Sequence, residues 1–426
     1  MPLKFQSSKN QVQRSSFYRR LPTAFLWLAV CVVGIWFTSH VGYARLLAQY
    51  ASLTGNTAAG DKAVQFSPLD AQVHSARAAT LYNAGLASEA ANELELAVSL
   101  RPRDDYLWLR LAVLRDELHH PEALRAFDEA VRRAPYYGHP KWQRGNYLLR
   151  SGRYDDAFAD LRFAAASNQS LVPSLIDLAW GVSRENPQLT EQWAGITDDR
   201  KRVAFARFMA GHGRAREALD QFRSSRVVSL QARRELISDL ISAHAFREAF
   251  EIWRGMDPAD DRLTTIHDGG FEVSNTLDNS GFGWRFAHSS QGARMSFDAN
   301  QPQAGKQSLL VTFLGYSEPN TALLSQLLLV EPRKHYEVKF DVRTENLLTG
   351  GLPVITVADA SGNRNVLGQS NPIGFESSAW QSLSFDFRTD NEAAVELRLQ
   401  RKPCNNAPCP IFGSLWLDNF TIAEVK

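Results

Sequence analysis

Histidine and cysteine are the residue types in this chain of 426 residues best equipped for metal or redox chemistry, and their spacing limits what they could do. His119-His120 stands at a helix break before Pro121, which suits a solvated corner better than a metal pair, and the other histidines are dispersed. Cys404 and Cys409 enclose Asn405-Asn406-Ala407-Pro408 and could be a disulfide, a metal knuckle or two free thiols. No histidine lies nearby to complete a zinc set, and turn formers separate the cysteines, so the disulfide is favoured. Closing so short a loop stabilises little beside the ~3 kcal/mol of a 15-residue loop; the bond would fix one hairpin tip. No phosphate loop, nucleophile elbow or zinc-protease motif occurs, and no set of convergent titratable groups suggests a catalytic pocket. The chain is expected to bind, not to be an enzyme.

The elements that carry binding residues show first as a repeat. Ala90, Ala123 and Ala157 recur at intervals of 33 and 34 residues, each with a large apolar residue four places on (Leu94, Phe127, Leu161) and an alanine three later (Ala97, Ala130, Ala164). Pro102 and Pro135 close the first two units. Antiparallel helices approach to about 8–10 Å only where small residues sit at the crossing. Ala78 and Gly145 meet that need on the first helices, with Leu81, Leu114 and Leu148 supplying bulk one turn later. Helix breaks fall at Asn83-Ala84-Gly85, His119-His120-Pro121 and Ser151-Gly152-Arg153, where glycine or proline stops a helix.

A period near 34 with two helices per unit resembles the tetratricopeptide (TPR) family over residues 71–258. Phe205, Ala206, Ala218 and Phe222 fit one weaker unit, and Leu236, Leu240, Ala249 and Trp253 another, while Val172 to Thr197 departs from the pattern as either a degenerate unit or an irregular connection. The resemblance implies a right-handed solenoid whose first helices line a concave face that holds a peptide or protein. Candidate partner contacts on those helices are Tyr82, Trp108, Trp142 and Asn146, the two tryptophans 34 residues apart. The competing reading is that such tryptophans pack between units, since shifting the alignment by one residue turns a helical side chain by about 100°.

At the N-terminus, Lys4, Lys9, Arg14, Arg19 and Arg20 precede a run from Leu21 to Ala44 without any Asp, Glu, Lys or Arg. As helix that run would reach ~36 Å, against a hydrocarbon core of ~30 Å. The flanking basic residues place the N-terminal side in the cytoplasm, so the rest of the chain is expected outside it, in an oxidising compartment that favours the disulfide. A cleaved signal peptide competes, with small residues at Gly42 and Ala44; the Leu28-Ala29-Val30-Cys31 stretch lacks the small residue that a lipoprotein box needs.

After the proline-bearing connector Asp257 to Arg262 the period becomes two. Tyr336, Val338, Phe340 and Val342 alternate with Glu337, Lys339, Asp341 and Arg343; Leu383, Phe385 and Phe387, and Val395, Leu397 and Leu399, repeat the pattern. Ser308 to Leu314, Leu323 to Val330 and Val354 to Ala358 are apolar runs of strand length. About eight antiparallel strands argue for a two-sheet jelly roll.

Asp268-Gly269-Gly270-Phe271-Glu272, then Gly283-Trp284, Gly305 with Ser308-Leu309, Trp380 and Leu417-Asp418-Asn419-Phe420 together resemble the carbohydrate-binding-module and galactose-binding-like β-sandwiches. Aspartate stands where asparagine usually precedes the paired glycines. The resemblance implies that Glu272 and Asp418 meet at a structural calcium, a hard cation suited to carboxylate oxygens; otherwise Glu272 meets a basic side chain and Asp418 caps a turn. Trp284, Trp380 and Trp416 would stack on a sugar or fill the core, the role that large aromatics usually take. No other cofactor is implied.

The expected fold class is thus multidomain: a basic tail (1–20), a transmembrane helix (21–44), a connector (45–70), an all-α TPR solenoid (71–258), a linker (259–265) and an all-β jelly-roll sandwich (266–426). A net charge of +1 gives no reason to expect nucleic acid. Two functions fit: a membrane-anchored exported scaffold binding a protein partner in cell-envelope or surface-polysaccharide assembly, or a glycan-binding protein whose sandwich grips polysaccharide while the repeats form a stalk.

Overall fold

A computed structural model describes residues 14–255, 265–273, 281–286, 292–362, 365–374, 379–404 and 409–425. The connector at Asp257 to Arg262, the Asn405 to Pro408 turn and the tail before residue 14 lie outside the described residues. The chain forms two compact units, Met1–Gly195 and Ile196–Lys426.

The first unit contains α1 (Arg14–Thr54), α2 (Thr57–Phe66), α3 (Ala71–Asn83), α4 (Ala87–Leu100), α5 (Asp105–Glu117), α6 (Ala123–Arg133), α7 (Gly138–Arg150), α8 (Tyr154–Ser167), α9 (Val172–Val182) and α10 (Pro187–Ala194), which pack in consecutive pairs. Leu26–Thr54 of α1 is long and apolar enough to cross a membrane, with mean hydropathy 1.5. Its apolar side chains, Trp27 and Trp36 among them, are exposed until Ala44, Ala48 and Ala51 turn inward against Ala63 and Val73. Residues 45–70, expected as a connector, are therefore the end of α1 together with α2, whose first turn is capped by Asn56 accepting from the Ala59 amide at 3.0 Å. The 33/34 period does not extend to this pair, but alanine spaced by four and three does the same work of close approach.

In the repeats, Ala90, Ala123, Ala157 and their apolar partners are buried. Gly145 shows why small residues are required: a Cβ there would lie 2.8 Å from Leu161 Cγ and 3.1 Å from the Ala157 carbonyl oxygen. Asp70 and Asp104 cap α3 and α5 by accepting from the amides of Gln72 and of Tyr106 and Leu107. The irregular stretch from Val172 is a short helix pair, α9 and α10. Arg184 and Glu185 between them both adopt the left-handed conformation, φ 53° and 64°, which non-glycine residues rarely do, so the usual turn signals are missing there.

The second unit begins with α11 (Asp199–Gly211), α12 (Ala215–Arg223), α13 (Leu230–Ser242) and α14 (Phe246–Arg254), burying Phe205, Ala206, Ala218, Leu236, Leu240 and Ala249. Phe250 and Trp253 of α14 pack on Phe282, with ring centroids 5.3 and 5.7 Å apart, so the last helix shares a core with the segment that leads into the first strand. Ten strands build two five-stranded antiparallel sheets: β1 (Arg285–Phe286), β2 (Ala293–Asp298), β3 (Ser308–Tyr316), β4 (Leu324–Leu329), β5 (His335–Thr349), β6 (Pro353–Asp359), β7 (Val366–Gln369), β8 (Gln381–Arg388), β9 (Ala394–Arg401) and β10 (Pro410–Glu424). Their orders are β1-β4-β9-β6-β7 and β2-β3-β10-β5-β8. The alternating residues face inward as expected: Tyr336, Val338, Phe340 and Val342 meet Val395, Leu397 and Leu399 in one core. The strands beyond the expected eight include β1 and β7, too short to display alternation.

Candidate functional site

A groove of about 370 Å³ opens along the first helices of three consecutive pairs in the first unit. Tyr82 comes from α3; Tyr106, Leu109, Arg110, Val113 and Glu117 from α5; His139 and Gln143 from α7. On α5 these positions recur at three- and four-residue steps and so form one face. The Glu117 carboxylate, beside the Tyr82 hydroxyl, raises that phenol above its ordinary pKa. Arg110 reaches from α5 to α3, donating from Nη1 to the Ser75 carbonyl at 3.1 Å and to the Ser75 hydroxyl. Burial lowers its pKa, which the Tyr106 hydroxyl opposes weakly.

Of the four sequence candidates, Tyr82 lines this groove and is exposed; the other three do not. Trp108 sits one position before Leu109, about 100° around the helix, where its Nε1 donates to the Pro102 carbonyl at 3.0 Å and its ring lies under the Arg133 guanidinium at 4.8 Å. Trp142 stands likewise one position before Gln143, and Asn146 donates its side-chain amide to the Trp142 carbonyl at 2.8 Å. The 34-residue recurrence of tryptophan marks intra-repeat packing, so these three are corrected from partner contacts to scaffold. Arg110, Tyr106 and Gln143 escape a reading of the sequence because a polar residue on a helix reads as solvated until its face is known.

In the sandwich, Glu272 and Asp418 converge on one loop. Glu272 Oε1 accepts from the Lys306 amide at 2.9 Å and Oε2 at 3.0 Å; Asp418 Oδ2 accepts from Gln303 and Ala304 at 3.0 and 3.1 Å, and its Oδ1 from Asn419 at 2.8 Å. Gly305 (φ 66°) is obligatory between them, since a Cβ would fall 2.0 Å from Glu272 Oε1. Burial raises the pKa of Asp418, and the charge of Glu272 adds to the shift. Calcium takes about six to eight oxygen ligands. Here the carboxylates are met by amide N–H groups, which cannot ligate, and no three His, Cys, Asp or Glu side chains converge among the described residues. The pair as arranged staples a loop and does not make up a calcium cage; nor does Glu272 meet a basic side chain.

Trp284 is buried in the core against Phe271 and Phe420. Trp416 alternates with the core residues Leu415 and Leu417 and so lies on the outer face of its sheet, yet it is covered: the Arg343 guanidinium is 4.1 Å from its ring and 5.9 Å from that of Trp380. The Nε1 atoms of Trp416 and Trp380 donate to Asp298 Oδ2 at 2.7 Å and to the Gln301 carbonyl at 3.2 Å. Cys404 and Cys409 are bonded, with Cα atoms 5.8 Å apart. Behind them Arg401 is fully buried, donating to the Ser317 carbonyl at 2.8 Å, to Thr349 Oγ1 at 3.1 Å and toward both sulfurs.

No protein-family model and no curated protein matches this chain. Among solved structures, it is similar to a MamA protein (13% identity, 45% of this chain and 100% of the other, TM-score 0.32) and to PilF of Pseudomonas aeruginosa (15%, 52% and 94%, 0.31). It is also similar to the CBM22-1 xylan-binding domain of Paenibacillus barcinonensis Xyn10C (20%, 39% and 99%, 0.27). The helix pairs and the two antiparallel sheets define the architecture: a TPR-type helical repeat with one N-terminal helix apolar enough to span a membrane, and a sandwich of the carbohydrate-binding-module type after it.

Proposed function

We propose that this chain is a non-catalytic scaffold, anchored in the cytoplasmic membrane with its N-terminus inside and both folded parts exported, whose repeats hold a protein partner of a cell-envelope or surface-polysaccharide assembly. The observation that carries the reading is the groove, where exposed Tyr82 and Tyr106 flank apolar Leu109 and Val113 across three successive first helices. Aromatic and apolar side chains around a few polar anchors are what protein-binding surfaces concentrate. The glycan-binding alternative needs two or more tryptophans or tyrosines sharing an open face. Trp416 and Trp380 share a face but are engaged by Arg343, so the sandwich acts as a spacer or second protein-binding module. Neither role requires a cofactor.

Photo-crosslinking residues placed singly at Tyr82, Gln143 and Trp108 of the full chain in cells test the groove. Discrete adducts from the first two positions and none from Trp108 support it; adducts from Trp108 alone would move the binding face. A reporter active only outside the cytoplasm, fused after Lys426, should be active, and the chain should resist alkaline extraction from membranes. A soluble chain starting at Arg45 would instead show a cleaved signal.

A further inference from the structure

The three well-formed repeats each place an arginine at the same position of the first helix: Arg77, Arg110 and Arg144, at steps of 33 and 34 residues. Two of them are bracketed by acids sixteen residues before and sixteen after. Arg77 meets Asp61 and Glu93, both at 2.8 Å. Arg144 meets Asp128 at 2.8 Å and grips Asp160 with two bonds of 2.6 and 2.9 Å. For Arg110 the equivalent positions are Leu94 and Ala126, both buried and apolar. Its partners are Ser75 and, at 6.0 Å, the Tyr106 ring. The middle repeat therefore keeps the cation and lacks both counter-charges, and at this repeat the groove opens, lined by Arg110 and by the Leu94 that stands in place of an acid.

We infer that a carboxylate of the partner supplies the missing counter-charge: the groove takes an extended peptide segment with an internal Asp or Glu seated on Arg110 and an apolar side chain beside it. The inference rests on the groove being the protein-binding face. Three features specify the occupant. A planar guanidinium with free donors matches a carboxylate bidentately, as Arg144 shows with Asp160. Leu94, Leu109 and Val113 give an apolar wall beside the cation. Arg110 stands inside the groove, with Tyr106 one turn before it and Glu117 two turns, about 10 Å, beyond. A bound chain thus continues past the anchor in both directions, and Glu117 is left to accept peptide N–H groups or a basic side chain. A terminal carboxylate would leave one end of the groove uncovered.

The test uses the full chain in detergent and fluorescence anisotropy with fluorescein-labelled Gly-Ala-Leu-Glu-Leu-Ala-amide, its Glu→Gln analogue, and that analogue with a free C-terminal carboxylate. The Glu peptide should bind about tenfold or more tighter than the Gln amide, the scale of a charged hydrogen-bonded contact. Arg110→Gln should erase the difference. So should Ala126→Asp, which keeps Arg110 but restores the acid found in the neighbouring repeats; thermal melting confirms that each variant is folded. Equal binding of all three peptides, or a Glu preference that survives in Arg110→Gln, overturns the anchor. A preference for the terminal carboxylate overturns the internal placement. Binding that is insensitive to charge but lost on filling the groove with Gln143→Trp would spare the groove while removing the anchor. No binding by any peptide, with no adduct from the crosslinking positions at Tyr82 and Gln143, removes both.

Discussion

The helical repeats and the sandwich settle buried charge in opposite ways. In the repeats, arginines answer carboxylates at a fixed separation of sixteen residues, as for Arg77 with Glu93 and Arg144 with Asp160. In the sandwich, Glu272 and Asp418 are met by backbone amides, and Arg401 by the Ser317 carbonyl, a hydroxyl and two sulfurs. A repeat makes the same local contacts over and over, so side-chain pairs can be specified by period. A sheet must bring remote segments together, and the loop backbones that result need their own partners. A missing pair in the repeats is accordingly informative, because its neighbours state what should be there.

The largest effect should come from the sandwich. Asp418→Ala strands the amides of Gln303, Ala304 and Asn419 and should cost about 3 kcal/mol or more, at roughly 1–3 kcal/mol per stranded donor. A thermal transition shifted no more than that of a surface variant would mean that the loop is held by something else.

Among the repeats, Ala157→Leu should overpack the crossing with α7 and destabilise by about 1–3 kcal/mol. If Leu is tolerated there as well as at an exposed alanine, the close approach at Gly145 and Leu161 is not real.

The arginines sharpen the contrast directly. Arg144→Ala leaves Asp160 buried without its partner and should cost about 2 kcal/mol, within the range for orphaned charged groups. Arg110→Ala strands no carboxylate and should cost less than half as much. Equal losses would show that Arg110 has a structural counter-charge after all.

A smaller effect is set by pH. His74 holds Glu93 with Nδ1 at 2.6 Å and the Pro68 carbonyl with Nε2 at 2.8 Å. Both partners are acceptors, so the ring is an imidazolium; the Glu93 hydrogen bond, ahead of the opposing burial, raises its pKa. A pKa raised on folding contributes stability that is complete below the ordinary histidine value and is lost as pH rises through the folded one. Melting temperature should fall across that window, and Glu93→Gln should flatten the fall. The smallest expected effect is that of metal: chelator and then excess calcium should leave the sandwich transition where it was, and a clear rise with calcium would overturn the loop-staple reading of Glu272 and Asp418.

The sequence alone determined the elements whose cause is local or periodic. Alanine spacing gave the helix crossings, Gly and Pro gave the breaks, and alternation in Tyr336 to Val342 gave the strands, because each depends on neighbours within one period. Where local signals are absent, sequence reasoning stops short. α2 lies outside the repeat period, α9 and α10 are joined by left-handed Arg184 and Glu185, and β1 and β7 are too short to alternate. Only tertiary structure decided which helical face lines the groove. Trp108 and Leu109 differ by one position in sequence but by about 100° on the helix, so the recurrence of tryptophan marked packing while Arg110 marked the opening. It also decided that Glu272 and Asp418, 146 positions apart in the chain, close on one loop, because register between remote strands is fixed by the whole buried face and not by any residue near either carboxylate.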